Sequence, residues 1–481
     1  MSTRPIGFIL GFLILVFAGA MLAPLFVSLA TEDGEWPAFA AGIGTCLFVG
    51  GMLILTLRSD RIELGRRQGF ALTSTVWVCL PLFGALPFVW SDRVGTFTDA
   101  VFESVSGITT TGSTVLAGLD LMEPSLLLWR SLLQWLGGIG IIAMGIVILP
   151  FLRVGGMQIF RTESSDRSDK VVARASDFMV MLVGVYVGLS LLCAGAYALA
   201  GMTVFEAVNH AMTTISTGGY STSDLSMGYF ESAAIQWIGT FFMLAGGIPF
   251  ALYIFALRGK PGRLFRNSQV LTFLSFVLAV SLGLAVYLMV TRDTSLPLAL
   301  RLTAFNVTSV VTTTGYATSD YTAWGGFAGV VFYFLIFLGA CSGSTSGGFK
   351  VYRVQIIYEL VRTTIRRMTM PHGVFIPRYA GKEIDAEVTY SVAAFMVLFV
   401  TTILVIALAL AMIGLDFETA FSGAATAVAN VGPGVGDVIG PAGNFSSLPD
   451  VAKWILSAGM ILGRLEIVTL AVLALPEYWR A

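Results

Sequence analysis

The chain has 481 residues, 56% of them hydrophobic and only 12% charged, with a mean hydropathy of +0.83. Soluble domains carry about 25% charged residues, so this composition excludes an ordinary soluble protein and describes a polytopic membrane protein. A formal net charge of −1 says nothing about nucleic acid, which is not among the expected partners.

Apolar runs long enough for a ~30 Å hydrocarbon core are predicted as membrane helices at 6–29 and 37–57, 69–90 and 126–150, 177–200 and 230–257, 269–290 and 325–349, and 388–413 and 450–475. The first run lacks a small-x-small exit, so it reads as a span rather than a cleaved signal peptide. The predicted fold is all-α and polytopic. An N-terminal two-helix hairpin (1–68) is followed by four membrane–pore-helix–membrane repeats (69–153, 154–260, 261–386 and 387–481) in a pseudo-fourfold arrangement around one pore. Cys46, Cys79, Cys193 and Cys341 are scattered, with no CxxC spacing, and read as structural thiols.

Within each repeat, a segment too short to cross the membrane leads into a Ser/Thr/Gly loop. The short segments are Phe97–Ser104, Val204–His210, Leu298–Asn306 and Phe417–Ser422. Thr98, Thr203 and Asp416 are the expected N-caps, and three segments carry acids near the first turn, where the helix dipole favours them. The third lacks the acid and carries Arg301. At 1.5 Å per residue such helices reach half-way through the hydrocarbon, so they are re-entrant, with their C-terminal carbonyls aimed at the membrane interior. The loops are Thr109-Thr110-Thr111-Gly112-Ser113, Ser216-Thr217-Gly218-Gly219-Tyr220, Thr312-Thr313-Thr314-Gly315-Tyr316 and Ala429-Asn430-Val431-Gly432-Pro433. Non-helical backbone is tolerated at membrane depth only when buried in protein or lining water. Four such loops at one architectural position predict a ring of backbone carbonyls around an ion path. Glycine supplies the positive φ this needs, and hard oxygen ligands suit alkali cations.

Charge sets the expected orientation. Placing the N-terminus and the stretches 58–68, 151–176, 258–268 and 350–387 in the cytoplasm puts 22 of the 28 Lys and Arg there, Arg480 included. Only Arg93, Arg130, Arg292, Arg301 and Lys453 lie opposite, as the positive-inside rule requires. The outer side then holds 17 of the 29 acids, and the four loops sit inside an acidic vestibule that concentrates cations. The bland alternative is that translocated loops merely lack Lys and Arg.

These residues resemble the TrkH branch of the bacterial Trk/Ktr/HKT superfamily of potassium transporters, nearly end to end. The match runs through Ser106-Gly107-Ile108-Thr109-Thr110-Thr111-Gly112 and Gln134-Trp135-Leu136-Gly137-Gly138. It continues through Gly218-Gly219-Tyr220-Ser221-Thr222, Gly228-Tyr229-Phe230, Asn430-Val431-Gly432-Pro433-Gly434 and Lys453-Trp454-Ile455-Leu456, ending at Gly463-Arg464-Leu465-Glu466. The resemblance implies a homodimer in the bacterial inner membrane, with one pore per protomer, lipid around it and both termini cytoplasmic. It implies that potassium is bound by the backbone around Thr110, Thr111 and Gly112; Thr217 with Gly218 or Gly219; Thr313, Thr314 and Gly315; and Asn430, Val431 and Gly432. Gly218 is favoured as the second filter glycine, because two glycines precede the aromatic. Plant relatives with Ser at the first filter glycine prefer sodium, so Gly112 supports potassium. One glycine per loop, against two in tetrameric potassium channels, implies a shorter filter with imperfect potassium/sodium discrimination. No organic cofactor is implied.

The run Gly339–Lys350 holds four glycines and four hydroxyl residues in its first ten positions, too many to keep a helix. Small residues of this kind also serve as a packing surface. The resemblance makes Gly343, Ser344, Thr345, Ser346, Gly347 and Gly348 an intramembrane gate, with Arg464 projecting into the pore beside it. Arg464 with Glu466 is equally readable as a structural ion pair. His210 reads as a packing residue of its pore helix. The basic loop 350–387 (Lys350, Arg353, Arg362, Arg366, Arg367, Arg378, Lys382) is the expected docking surface. Its implied partner is a TrkA-like cytosolic ring of regulatory subunits that binds nucleotide (ATP/ADP or NAD). The chain itself has no GxxxxGK[ST], and no GxGxxG on a strand–helix unit.

Two rivals remain. A symporter coupling potassium to protons or sodium needs a titratable midplane carboxylate, and only Glu466 qualifies. An intramembrane enzyme is suggested only by Gly339-Ala340-Cys341-Ser342-Gly343, and HExxH and GxSxG are absent, so the expectation is a non-enzyme.

Overall fold

The computed structural model describes residues 3–58, 65–144 and 171–480. Helices α1 (Arg4–Thr31) and α2 (Trp36–Thr56) form the N-terminal hairpin. They cross at Gly11 and Gly50, where a Cβ on either would lie 2.9 Å from the other's carbonyl oxygen. Only glycine allows that approach, as small residues do wherever membrane helices meet closely.

Four repeats follow. The first comprises α3 (Arg66–Gly84) with α4 (Leu86–Trp90), the short α5 (Phe97–Ile108) and α6 (Pro124–Ala143). The second comprises α7 (Val171–Leu199), the short α8 (Val204–Ile215), α9 (Ala233–Gly246) and α10 (Phe250–Leu257). After the connector α11 (Gly262–Arg266), the third has α12 (Ser268–Arg292), the short α13 (Leu296–Val311) and α14 (Gly326–Ile336). Its Gly-rich run is then pinched at the base by two parallel strands, β1 (Leu338–Gly339) and β2 (Phe349–Lys350), before α15 (Val351–Thr369). A small antiparallel pair, β3 (Arg378–Tyr379) and β4 (Lys382–Glu383), leads to the fourth repeat. That repeat holds α16 (Ala386–Met412), the short α17 (Phe417–Ala429), α18 (Asp450–Arg464), α19 (Val468–Leu473) and α20 (Pro476–Arg480).

Of the ten expected spans, seven are continuous helices of membrane length among the described residues, and α9 with α10 makes an eighth, bent by 92°. The spans expected at 325–349 and 450–475 are interrupted. Helix α14 stops at Ile336, and α18 stops at Arg464, with Glu466 and Ile467 at φ of 60° and 35° before α19. The expected cytoplasmic stretches at 59–64 and 151–170 lie outside the described residues. The Tyr478 hydroxyl donates to the Arg67 carbonyl, and Gly7 packs on Leu57. Both chain ends therefore share a side with the α2–α3 connection.

The short helices are the centre of the molecule. Every residue of α5 from Ala100 to Ile108 is buried, as is α17 from Thr419 to Ala429 apart from Phe421. The capping differs in one place from expectation: Thr96, not Thr98, caps α5, accepting from the Asp99 amide at 3.1 Å. Thr203 and Asp416 cap α8 and α17 as expected, accepting from the Glu206 and Thr419 amides. The long helix that closes each repeat packs on the short helix of the next: α6 on α8, α9 on α13, α14 on α17 and α18 on α5. The last of these contacts returns to the first repeat and closes a fourfold ring.

Candidate functional site

All four short helices end in one and the same turn. Thr110, Thr217, Thr313 and Asn430 have φ of 52°, 50°, 58° and 56°. Each donates its amide to the carbonyl three residues back, and the next residue donates five back: Thr111 to Ser106, Gly218 to Thr213, Thr314 to Ser309 and Val431 to Thr426, at 2.8–3.1 Å. This is a Schellman closure with a non-glycine residue at the left-handed position. Three of the four are β-branched, for which that conformation costs about 1–2 kcal/mol, and it persists only where the surroundings over-determine it.

Two residues further on, Gly112, Gly219, Gly315 and Gly432 have φ of 89°, 80°, 81° and 107°. Gly219, rather than the favoured Gly218, is therefore the glycine of the second loop. Gly218 occupies the place of Thr111, Thr314 and Val431. The glycines abut one another's loops in rotation. A Cβ on Gly112 would collide with the Gly218 carbonyl oxygen, on Gly219 with that of Thr314, and on Gly315 with that of Val431. On Gly432 it would lie 2.9 Å from the Thr111 oxygen, which closes the circuit. All twelve residues expected to form the ring are thus brought together.

Side chains brace the ring from behind. The Tyr220 hydroxyl donates to the Glu103 carbonyl at 2.8 Å, and the Tyr316 hydroxyl donates to that of His210 at 3.3 Å. Ser113 donates to the Gly432 carbonyl at 2.8 Å. Arg130 pairs with Glu103 at 2.7 Å, donates to the Ser221 carbonyl and stacks on Tyr220. His210 is buried, 2.8 Å from the Glu206 carbonyl and 3.0 Å from Ser221 Oγ, in the packing role expected of it.

Outside the ring lies a cavity of about 250 Å³ lined by the four glycines. The expected acidic vestibule is not found there: Asp224 is the one carboxylate in the lining, and it accepts from the Gly118 and Leu119 amides. The other nearby acids are engaged, Asp99 with Lys453 at 2.7 Å, Glu123 with Arg93, and Glu206 and Asp416 in helix caps.

Inside the ring lies the Gly-rich run. Its tip is tied to the second repeat: Cys341 and Thr345 donate amides to the Gly247 and Gly246 carbonyls, and Phe250 donates to Gly343. The Thr345 hydroxyl reaches the Ile215 carbonyl at 3.1 Å. Two bonds run directly to the ring, both at Thr313: its Oγ1 accepts the Gly347 amide at 2.7 Å and donates to Ser346 Oγ at 3.4 Å. Below, a cavity of about 30 Å³ is lined by this run together with Phe395, Phe399, Arg464 and Glu466. Arg464 is 2% exposed, and its three guanidinium nitrogens have no hydrogen-bond partner among the described residues. Lys350 faces the same cavity and donates to the Ser346 carbonyl.

Two expectations change here. Glu466 pairs with Arg353, not Arg464, and Arg353 also lies over the Phe395 ring at 3.6 Å. Lys350 and Arg353 are buried and leave the expected docking surface, where Arg362, Arg366, Arg367, Arg378 and Lys382 remain exposed. Sequence reasoning placed Arg353 in a solvated loop. The available signal was that Glu466, two residues from Arg464 across a helix break, needed a second partner.

The family profile of TrkH, described as a cation transport protein, matches residues 35–480. The Trk system potassium uptake protein TrkI of Halomonas elongata is 48% identical over 477 residues, 99% of this chain and 97% of that protein. The Trk system potassium uptake protein TrkH of Escherichia coli K12 is 36% identical, with 100% of both chains covered. The crystal structure of the potassium transporter TrkH from Vibrio parahaemolyticus matches with a TM-score of 0.92 at 35% identity, over 100% of each chain.

Proposed function

The chain belongs to the TrkH family of cation transport proteins, and we propose that it takes up potassium across a bacterial inner membrane through the ring of four loops. The observation that carries this reading is the closed circuit in which each loop's glycine admits the next loop's carbonyl. Only such close approach lets peptide oxygens from four chain segments replace an ion's hydration shell together. Potassium is the ion named for the relatives at 48% and 36% identity.

The Gly-rich run is the gate and Arg464 its electrostatic part. A buried guanidinium with no hydrogen-bond or ion-pair partner among the described residues, lining the cavity beside the Gly-rich run, opposes entry of a cation from either side. Conduction requires the run to shift and the Arg464 side chain to leave the path. Glu466 is engaged by Arg353, which removes the one carboxylate proposed for ion coupling and favours a channel-like pore over a symporter. The basic bias places both termini in the cytoplasm. The exposed cations of α15 and the β3–β4 pair then face the cytosol and suit a nucleotide-binding regulatory ring of the TrkA kind. Two protomers form the membrane assembly, each with its own pore.

Rubidium-86 uptake into proteoliposomes under a potassium gradient tests the reading. Uptake that is displaced by potassium and reverses at the potassium equilibrium potential is expected. Uptake that shifts with pH at constant potassium, or no uptake at all, rejects it.

A further inference from the structure

Three loops carry a side chain just before their glycine, namely Thr111, Thr314 and Val431, and the second carries Gly218. The structure gives the reason. A Cβ at Gly218 would collide with the carboxamide of Gln134, which enters from α6 and is fully buried. Gln134 Nε2 donates to the Gly218 carbonyl at 2.7 Å, and its Oε1 accepts the Tyr220 amide at 3.0 Å. The orientation of the amide is fixed chemically, because a carbonyl needs a donor and an N–H needs an acceptor. The carboxamide therefore grips residues 218–220 as a neighbouring strand would, at two points. At the equivalent place in the first and third loops the threonine hydroxyl turns back instead, to Thr109 at 2.7 Å and to Thr312 at 2.8 Å.

The gripped carbonyl is the one that faces Gly112 across the ring. One of its lone pairs is occupied by Gln134, and the amide hydrogen bond both polarises it and fixes where it lies. We infer that Gln134 is a positioning residue for ion discrimination, setting the place and ligand strength of the second quadrant from outside the pore. The inference rests on the conducting role of the ring proposed above.

The test measures potassium and sodium uptake separately, in proteoliposomes, for the wild type, Gln134→Met, Gln134→Ala and Gln134→Ala/Gly218→Thr. Methionine keeps the length of glutamine and removes both bonds. A fall of roughly tenfold in the potassium-to-sodium ratio is expected for Gln134→Met and Gln134→Ala, the scale of one lost buried hydrogen bond at a charged ligand. The double variant makes the second loop like the first and third, with room for its new side chain, and is expected to recover most of the ratio lost by Gln134→Ala. A purely structural glutamine would lower total uptake or thermal stability and leave the ratio at its wild-type value. That outcome, or a double variant no better than Gln134→Ala, overturns the inference while leaving the pore reading intact. A wild type that moves neither ion overturns both.

Discussion

The contact at Thr313 between the ring and the proposed gate is the sharpest point at which to perturb the molecule. Gly347 donates its amide to Thr313 Oγ1 at 2.7 Å, and Thr313 is itself a left-handed residue of the ring, with φ of 58°. Thr313→Val keeps the β-branch and the volume but deletes the acceptor. A buried amide left without a partner costs about 1–3 kcal/mol. If the withdrawn run returns that amide to water, the whole cost falls on the closed state. The open-to-closed ratio then rises about 5-fold to 150-fold. The measurement is basal rubidium uptake in proteoliposomes without any regulatory partner, against the wild type.

Valine at 313 also touches the ion path, so a second variant approaches from the other side. A Cβ at Gly347 would lie 2.5 Å from the Ala429 carbonyl oxygen and 3.0 Å from Asn430 Cβ. Gly347→Ala therefore pushes the run away from the ring without altering any ring residue. Both variants are expected to raise basal uptake with potassium preference retained. Wild-type basal uptake in Gly347→Ala, whatever Thr313→Val does, would refute the claim that this contact holds the pore shut.

Three further outcomes are expected. Arg464→Gln removes the unpaired charge beneath the ring and should raise uptake per active protomer; equal or lower uptake contradicts the electrostatic barrier. Gly219→Ala should abolish uptake with helix content unchanged in circular dichroism, because a left-handed φ and a collision with the Thr314 carbonyl coincide there; wild-type uptake would show that the second loop tolerates a side chain. Arg353→Met strands Glu466 in the interior at a cost of about 3–5 kcal/mol and should lower the melting temperature in detergent, whereas Arg353→Met/Glu466→Leu should regain most of the loss, and equal melting temperatures for the two would deny the pairing.

The architecture was legible in the sequence because it repeats. Four short segments, each followed by Thr or Asn and Gly, mark the four short buried helices and the loops whose glycines abut one another. The places where the reading slipped are those that repetition does not govern. Gly218 and Gly219 are indistinguishable as letters, and only the positive φ at Gly219 and the intrusion of Gln134 at Gly218 separate their roles. Arg353 looked like one more cation of a basic loop, because burial on the far side of a broken helix leaves no periodic trace. The external acids were counted as a field, but Asp99, Glu103, Glu123, Glu206 and Asp416 are held in ion pairs and helix caps, which a tally of charges does not register.

The ring and the gate obey different symmetries, and this limits how the gate can move. The ring is fourfold in its left-handed residues, but it is the third loop, through Thr313, that is bonded to the Gly-rich run. The Gly-rich run belongs to the third repeat, where its Ser342 amide is held by Gln269 at 3.0 Å, yet most bonds at its tip run to the second, through Gly246, Gly247, Phe250 and Ile215. Those residues surround the 92° break between α9 and α10. Detaching the tip from that break means losing several buried hydrogen bonds at once, each about 1 kcal/mol net when broken to water and more when left unpaired. Letting the tip travel with α10 keeps only the Phe250 bond, because Gly246 and Gly247 end α9, Ile215 ends α8, and the Ser342 amide is held by Gln269 of α12. Opening of the proposed gate therefore costs least if the tip stays anchored and the run bends near Thr313, where only the bonds of Gly347 and Ser346 to Thr313 and the packing on Ala429 are given up.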